Sequence, residues 1–260
     1  MATTVAGRVV SAPLLETRAL TRNFGALVAT RQVDFRLEPG ARHALIGPNG
    51  AGKTTLINLL AGTIAPTSGQ VLLKGRDITA LGEADRVKLG IARTFQINRL
   101  FRGLSVLENV YIAVAERMGA APSMFRPAGR RRDVVDESMR LLDTLRLIDD
   151  AARRISELPY GRQRLVELAI ALGLSPELLL LDEPAAGVPS AENHIILDAI
   201  DRLPAAIGVL FIDHDMDLVF RFAERITVMV GGAVFASGTP REIGADPEVR
   251  AVYLGQAGHG

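Results

Sequence analysis

No cysteine occurs among the 260 residues, which rules out disulfides and thiolate-held metals and suits a reducing compartment. No apolar run comes near the ~18–20 residues of a bilayer-crossing helix. Met1 to Pro13 lack the apolar stretch of a secretory leader. Neither sign of charge dominates: 30 basic and 29 acidic side chains leave a net +1, which argues against a strongly electrostatic nucleic-acid binder. Any internal repeat is missing, and so is the guanine-reading sequence Asn-Lys-x-Asp, which counts against a GTPase. These absences lead us to expect a cytosolic chain that reaches a membrane only through a partner. The composition, 48% hydrophobic and 23% charged, is that of a globular protein with core enough for one or two domains.

What is present begins with Gly47-Pro-Asn-Gly-Ala-Gly-Lys-Thr54, the pattern G-x-x-x-x-G-K-[ST] with every fixed position filled. Its glycines let the backbone turn tightly enough for N–H groups to converge on phosphate oxygens. Lys53 brings charge to the β- and γ-phosphates, and the Thr54 hydroxyl can ligate Mg²⁺. Ala44, Leu45 and Ile46 read as a buried strand running into the loop. Leu56, Ile57, Leu59 and Leu60 give helical spacing after it, so a helix N-terminus adds its dipole to the anion site.

Elsewhere, short β-like stretches over Leu14 to Leu37, a turn at Asn23-Phe24-Gly25 and a strand over Gln70 to Leu73 suggest a small antiparallel sheet beside this loop. From about Leu104 to Leu147 the spacing is helical. Gly119 to Arg132 interrupts it with Arg126, Arg130, Arg131 and Arg132, read first as a solvated loop and alternatively as a contact with anionic lipid. The last third alternates: Leu178 to Leu181 as a buried strand, a helix over Ala191 to Leu203, the strand Val209 to Ile212 and a helix from Met216. Ile226 to Val230 and Ala233 to Ala236 form a hairpin about Gly231-Gly232. The fold class expected is α/β, a layered core with a helical insertion.

A phosphate loop needs a metal partner and a water-orienting group before it hydrolyses anything. The leucine run ends in Asp182-Glu183. We expect Asp182 beside the phosphate-loop strand, holding Mg²⁺ through water, with Glu183 polarising the attacking water; the plainer reading is a strand end. His214 follows a third strand between Asp213 and Asp215, which are placed to orient its ring for γ-phosphate sensing. His43, His194 and His259 have no such setting and read as incidental. Gln96 stands where the core meets the helical middle.

Taken in order, Gly47 to Thr54, Gln96, Leu158-Pro-Tyr-Gly-Arg-Gln163, Asp182-Glu183 and His214 resemble the ATPase subunits of ABC transporters over about Leu14 to Gly255. Arg93-Thr-Phe-Gln96, Ser105-Val-Leu-Glu-Asn109, Asp182-Glu-Pro-Ala-Ala-Gly187 and Tyr253-Leu-Gly255 are similar to the branched-chain amino-acid uptake branch. The resemblance implies a P-loop NTPase (RecA-like) core with a small antiparallel β subdomain and an inserted α-helical subdomain. We divide the chain into a tail at 1–12, core at 13–97, helical subdomain at 98–164 and core with tail at 165–260.

It also implies ATP and Mg²⁺ as ligands. Phosphate contacts would come from Asn49, Gly50, Ala51, Gly52, Lys53, Thr54 and Thr55, and the adenine would stack on Phe24, a residue that otherwise reads as core. Mg²⁺ would be held by Thr54, Gln96 and Asp182, and catalysis served by Glu183, His214, Lys53 and Gln96. Pro159, Tyr160, Gly161, Arg162 and Gln163 would face the ATP of a second ATPase subunit. Two membrane permease subunits and, indirectly, an extracytoplasmic solute-binding protein complete the implied partners, with the chain on the inner face of the cell membrane and no nucleic acid. Uptake of urea or amides, or lipopolysaccharide export, is the alternative.

Two features depart from the family pattern. Pro159 and Tyr160 stand where Leu-Ser-Gly-Gly-Gln has serine and glycine, and Val188-Pro-Ser190 replaces the usual Leu-Asn-Pro. By the resemblance, both would lie on the surface this chain offers to its partner's nucleotide, so a heterodimer with unequal ATP sites is expected.

Overall fold

The computed structural model describes residues 12–94, 100–119, 131–189, 193–213 and 215–254. Two sheets organise it. The smaller is antiparallel, in the order β2-β1-β4-β5, from β1 (Leu15–Phe24), β2 (Leu27–Leu37), β4 (Ser68–Leu73) and β5 (Arg76–Asp77). The larger has the order β10-β9-β3-β8-β7-β6. Its members are β3 (Arg42–Ile46), β6 (Ile91–Arg93), β7 (Leu178–Asp182), β8 (Gly208–Ile212), β9 (Arg225–Val230) and β10 (Ala233–Gly238). All run parallel except the edge strand β10, which pairs antiparallel with β9.

The leucine run is buried along its whole length because both faces of β7 are covered. Leu179 and Leu181 join one apolar core with α5 (Tyr160–Gly173) and α6 (Asn193–Asp201). Leu178 and Leu180 join a second core with α1 (Lys53–Ala61) and the small sheet. Of the helical middle, α3 (Val106–Arg117) and α4 (Arg132–Thr144) pack on each other and on α5. Helix α3 starts at a reciprocal cap: Glu108 N–H donates to Ser105 Oγ at 3.2 Å, and Ser105 N–H to Glu108 Oε2 at 2.7 Å. The hairpin turn has φ +55° at Gly231 and +83° at Gly232, as a primed turn requires.

One expectation is corrected. Asp182 does not lie on the neighbour of the phosphate-loop strand; β8 intervenes between β3 and β7. Strand order depends on crossovers that local patterning does not encode. It puts the strand leading to residue 214 next to the loop.

Candidate functional site

The phosphate loop joins β3 to α1 and is wedged between β2 and β9. A Cβ at Gly47 would sit 2.2 Å from the Met229 carbonyl oxygen, and one at Gly52 would sit 2.3 Å from that of Ala29. At φ +148° and +95°, both positions also need glycine's backbone freedom. Gly52 is the N-cap of α1 and supplies no side-chain cap, and the first turn holds no acidic residue. The open N–H groups of that turn therefore form an anion site. Ala51 is buried and accepts from the hairpin tip, Gly232 N–H to Ala51 O at 3.1 Å. Asn49, Gly50 and Thr54 are exposed, and Thr55 is half-buried.

Lys53 curls onto its own loop, Nζ donating to Gly47 O at 2.6 Å and Pro48 O at 3.0 Å. Burial lowers its pKa from the usual lysine value, and the carboxylates of Glu183 and Asp182 oppose that fall. The lysine thus feels both strand-end acids although β8 separates their strands. Asp182 is buried and pairs with Arg93 of β6, Nη2 to Oδ2 at 2.9 Å. Glu183 takes φ +48°, left-handed for a non-glycine residue, and its N–H donates to Ile212 O at 3.0 Å.

A metal fits this arrangement. Mg²⁺ favours one or two carboxylates with substrate phosphates and water. Thr54 and Asp182 offer such a set, and among the described residues no group of three or more His, Asp or Glu could hold an ion unaided.

Phe24 is 46% exposed at the tip of β1, so it is no core residue, and the Arg22 guanidinium lies 4.7 Å from its ring centroid. The segment Pro159–Gln163 begins α5. Pro159 is the N-cap, without a side-chain bond. Gln163 Nε2 donates to Leu158 O at 2.9 Å, and Arg162 Nη1 to Arg146 O at 2.7 Å. Gly161 is buried. The Tyr160 ring rests on the loop after Glu183, where a Cβ at Gly187 would lie 3.1 Å from it, and the Arg164 guanidinium lies 5.1 Å from the ring centroid. Gln96 and His214 lie outside the described residues. Of the acids flanking His214, Asp215 caps α7 (Met216–Phe222) and Asp213 accepts from Asp215 N–H at 2.9 Å. His43, read as incidental, is a buried structural group bonded to Thr227 Oγ1 at 2.8 Å. His259, Arg126 and Arg130 lie outside the described residues, whereas Arg131 pairs with Asp133 at 2.6 Å.

Sequence reasoning passed over three residues here. Arg93 and Asn58 bind each other, Nη1 to Oδ1 at 2.5 Å. Arg86, on a short helix α2 (Glu83–Lys88), is fully buried and donates to Leu59 O at 2.6 Å and Leu60 O at 2.8 Å at the C-terminal end of α1. An arginine on a short polar helix normally reads as solvated, so the sequence held no signal of this burial; in the fold a Cβ at Gly62 would lie 2.9 Å from the Arg86 side chain.

A glycine-rich strand-to-helix loop ending in a lysine, in the same parallel sheet as a strand that ends in two carboxylates, defines a P-loop NTPase. A family model described as ABC transporter matches residues 30–186, and one described as branched-chain amino acid ATP-binding cassette transporter matches residues 233–259. The chain is 38% identical over 255 residues to the high-affinity branched-chain amino acid transport ATP-binding protein LivG of Escherichia coli K12, covering 95% of this chain and 100% of that one. It superposes with a TM-score of 0.82 on the ADP conformation of an ATP-binding cassette of an ABC transporter, at 29% identity over 94% of this chain and 99% of the other. The fold also matches a dimeric ATP-binding cassette bound to ADP and phosphate, with a TM-score of 0.72 at 24% identity over 87% and 99% of the two chains. The chain belongs to the ABC transporter family, as one of its ATP-hydrolysing subunits.

Proposed function

We propose that this subunit powers the uptake of branched-chain or related amino acids. The observation that carries the solute assignment is the match of residues 233–259 to the branched-chain amino acid model, supported by the full-length similarity to LivG. The chain works in a pair with a second ABC ATPase subunit, each ATP lying between one subunit's phosphate loop and the other's Pro159–Gln163 segment. A neighbour of the same fold is dimeric with ADP and phosphate bound, which supports the pairing.

In this reading, the loop from Asn49 to Thr55 binds the phosphates and exposed Phe24 stacks on adenine, worth ~1–3 kcal/mol. Thr54, Asp182 and Gln96 hold Mg²⁺, whose part is to neutralise charge on the transferring phosphoryl group. Lys53 stabilises the same charge, Glu183 orients the water, and His214 senses the γ-phosphate. The core comprises 13–97 and 165–260 and the helical subdomain 98–164. Of the two permease subunits, one docks on this chain in the cleft near Gln96 and the helical middle, lined by Val87, Ile91, Arg93, Leu100, Ile170 and Leu174. The permease holds the chain at the inner face of the membrane. ATP binding closes the pair and shifts the permease outward; hydrolysis resets it. A solute-binding protein delivers the amino acid from outside.

Affinity purification of this chain from its own membranes tests the reading. A co-purifying permease whose solute-binding protein takes leucine, isoleucine or valine is expected. A permease for urea, amides or lipopolysaccharide overturns the assignment and leaves the ATPase chemistry intact.

A further inference from the structure

We propose that Arg93 is the counter-ion of the metal-holding carboxylate: it neutralises Asp182 while no Mg²⁺ is bound, and it limits how tightly Asp182 then holds the metal. This rests on the reading of Asp182 as a Mg²⁺ residue.

The Asp182 side chain is 1% exposed, at the end of a strand hydrogen-bonded on both sides. A buried carboxylate without a partner is strongly destabilising, so a cation must answer it whenever the metal is away. Arg93 is placed to do so. In the parallel register of β6 and β7 it lies opposite Leu180, two residues before Asp182 and on the same face of the sheet, from where its side chain reaches forward diagonally. The contact is 2.9 Å, and the Arg93 side chain is itself only 12% exposed.

The same guanidinium reaches the phosphate-loop helix. Its Nη1 donates to Asn58 Oδ1 at 2.5 Å, one turn along α1 from Thr54. Arg93 therefore ties the element that presents the hydroxyl to the strand that presents the carboxylate. Its Nε, in contrast, is buried without a hydrogen-bond partner among the described residues. A fork that leaves one donor unmet is cheaper to reorient than a saturated one. A positive charge so close to the carboxylate also opposes an arriving divalent cation by direct Coulomb repulsion. Arg93 is a positioning residue in this account, with no contact to the reacting atoms.

The test is a Mn²⁺ titration of the ADP complex of the full chain, followed by electron paramagnetic resonance. Arg93→Gln is expected to tighten Mn²⁺ binding by about fivefold or more, with metal-free ADP affinity unchanged within about twofold. Arg93→Lys, which keeps the charge, is expected to retain the wild-type Mn²⁺ affinity. Unchanged or weaker Mn²⁺ binding in Arg93→Gln overturns the proposal. Tighter binding in Arg93→Lys does so too, as does a parallel loss of metal-free ADP binding, the mark of a merely structural role. Asp182→Asn separates the underlying reading: if it leaves Mn²⁺ affinity unchanged, Asp182 holds no metal, whatever Arg93 does. Should Arg93→Gln not fold, the side-chain Nε–H resonance of Arg93 in the wild-type ADP complex must shift when Mg²⁺ is added; a stationary resonance overturns the proposal.

Discussion

The backbone N–H of Glu183 donates to the carbonyl oxygen of Ile212 at 3.0 Å, pinning the end of β7 to the end of β8. Glu183 is held there at φ +48°, a conformation that costs a non-glycine residue of order 1–3 kcal/mol. The strain fixes where the carboxylate points, and it places Glu183 beside the chain that leads into His214.

Two substitutions separate that strain from the role proposed for the side chain. Glu183→Gln keeps the backbone and removes the proposed water-orienting carboxylate; ATP binding is expected to stay intact while turnover falls by at least about a hundredfold. Glu183→Gly relieves the left-handed strain. It is expected to raise the melting temperature by a few degrees, for about 1 kcal/mol recovered, while also abolishing hydrolysis. Calorimetry beside a phosphate-release assay checks both; wild-type turnover in the Gln variant would contradict the role given to Glu183.

Pro159 caps α5 without a side-chain bond. Pro159→Ser adds a hydroxyl that can accept from the first turn, for a gain of about 1 kcal/mol in stability. In the proposed pair it also supplies a donor toward the partner's γ-phosphate. In the assembled transporter the variant is expected to turn over faster, with the gain confined to the partner's ATP. Turnover and its division between the two sites that stay as in the wild type would end the idea of unequal sites.

His43 predicts an acid weakness. Burial, with Arg225 adding, holds its imidazole down at about 4, against about 6.5 unfolded. Between those values the unfolded chain binds the extra proton, so stability present in full above pH ~6.5 is lost as pH falls toward ~4, to about 3 kcal/mol. His43→Gln keeps a partner for Thr227 and removes the titration. From pH ~7 to ~5 the wild type should lose about 4 °C more in melting temperature than the variant. Parallel melting curves would show that His43 is not the group responsible.

Much of the nucleotide half was legible in the chain because it is local. The phosphate loop, the leucine run and the Gly231-Gly232 turn each carry their signal within a few residues. The acids' relation to Lys53 was legible in kind only. That β8 separates their strands follows from crossovers over more than a hundred residues, and the leucines of β7 are equally at home beside either neighbour. Arg93 and Arg86 were illegible for a related reason. Arg93 is buried by partners distant in sequence, Asn58 and Asp182; Arg86 donates both to the end of α1 and to the nearer carbonyls of Ile78, Thr79 and Leu81, which no side-chain pattern announces. Phe24, taken as the adenine-stacking ring with core as the alternative, faces solvent, and only the alternative is removed by that.

The intervening strand acts as a gauge. Neighbouring strands lie ~4.8 Å apart, so two spacings, β3 to β8 and β8 to β7, set the end of the phosphate-loop strand roughly 10 Å from that of Asp182. A terminal phosphate with a hydrated metal beside it has about that breadth. The separation of these two strand ends is thus set by a backbone repeat, which no single side-chain substitution can narrow.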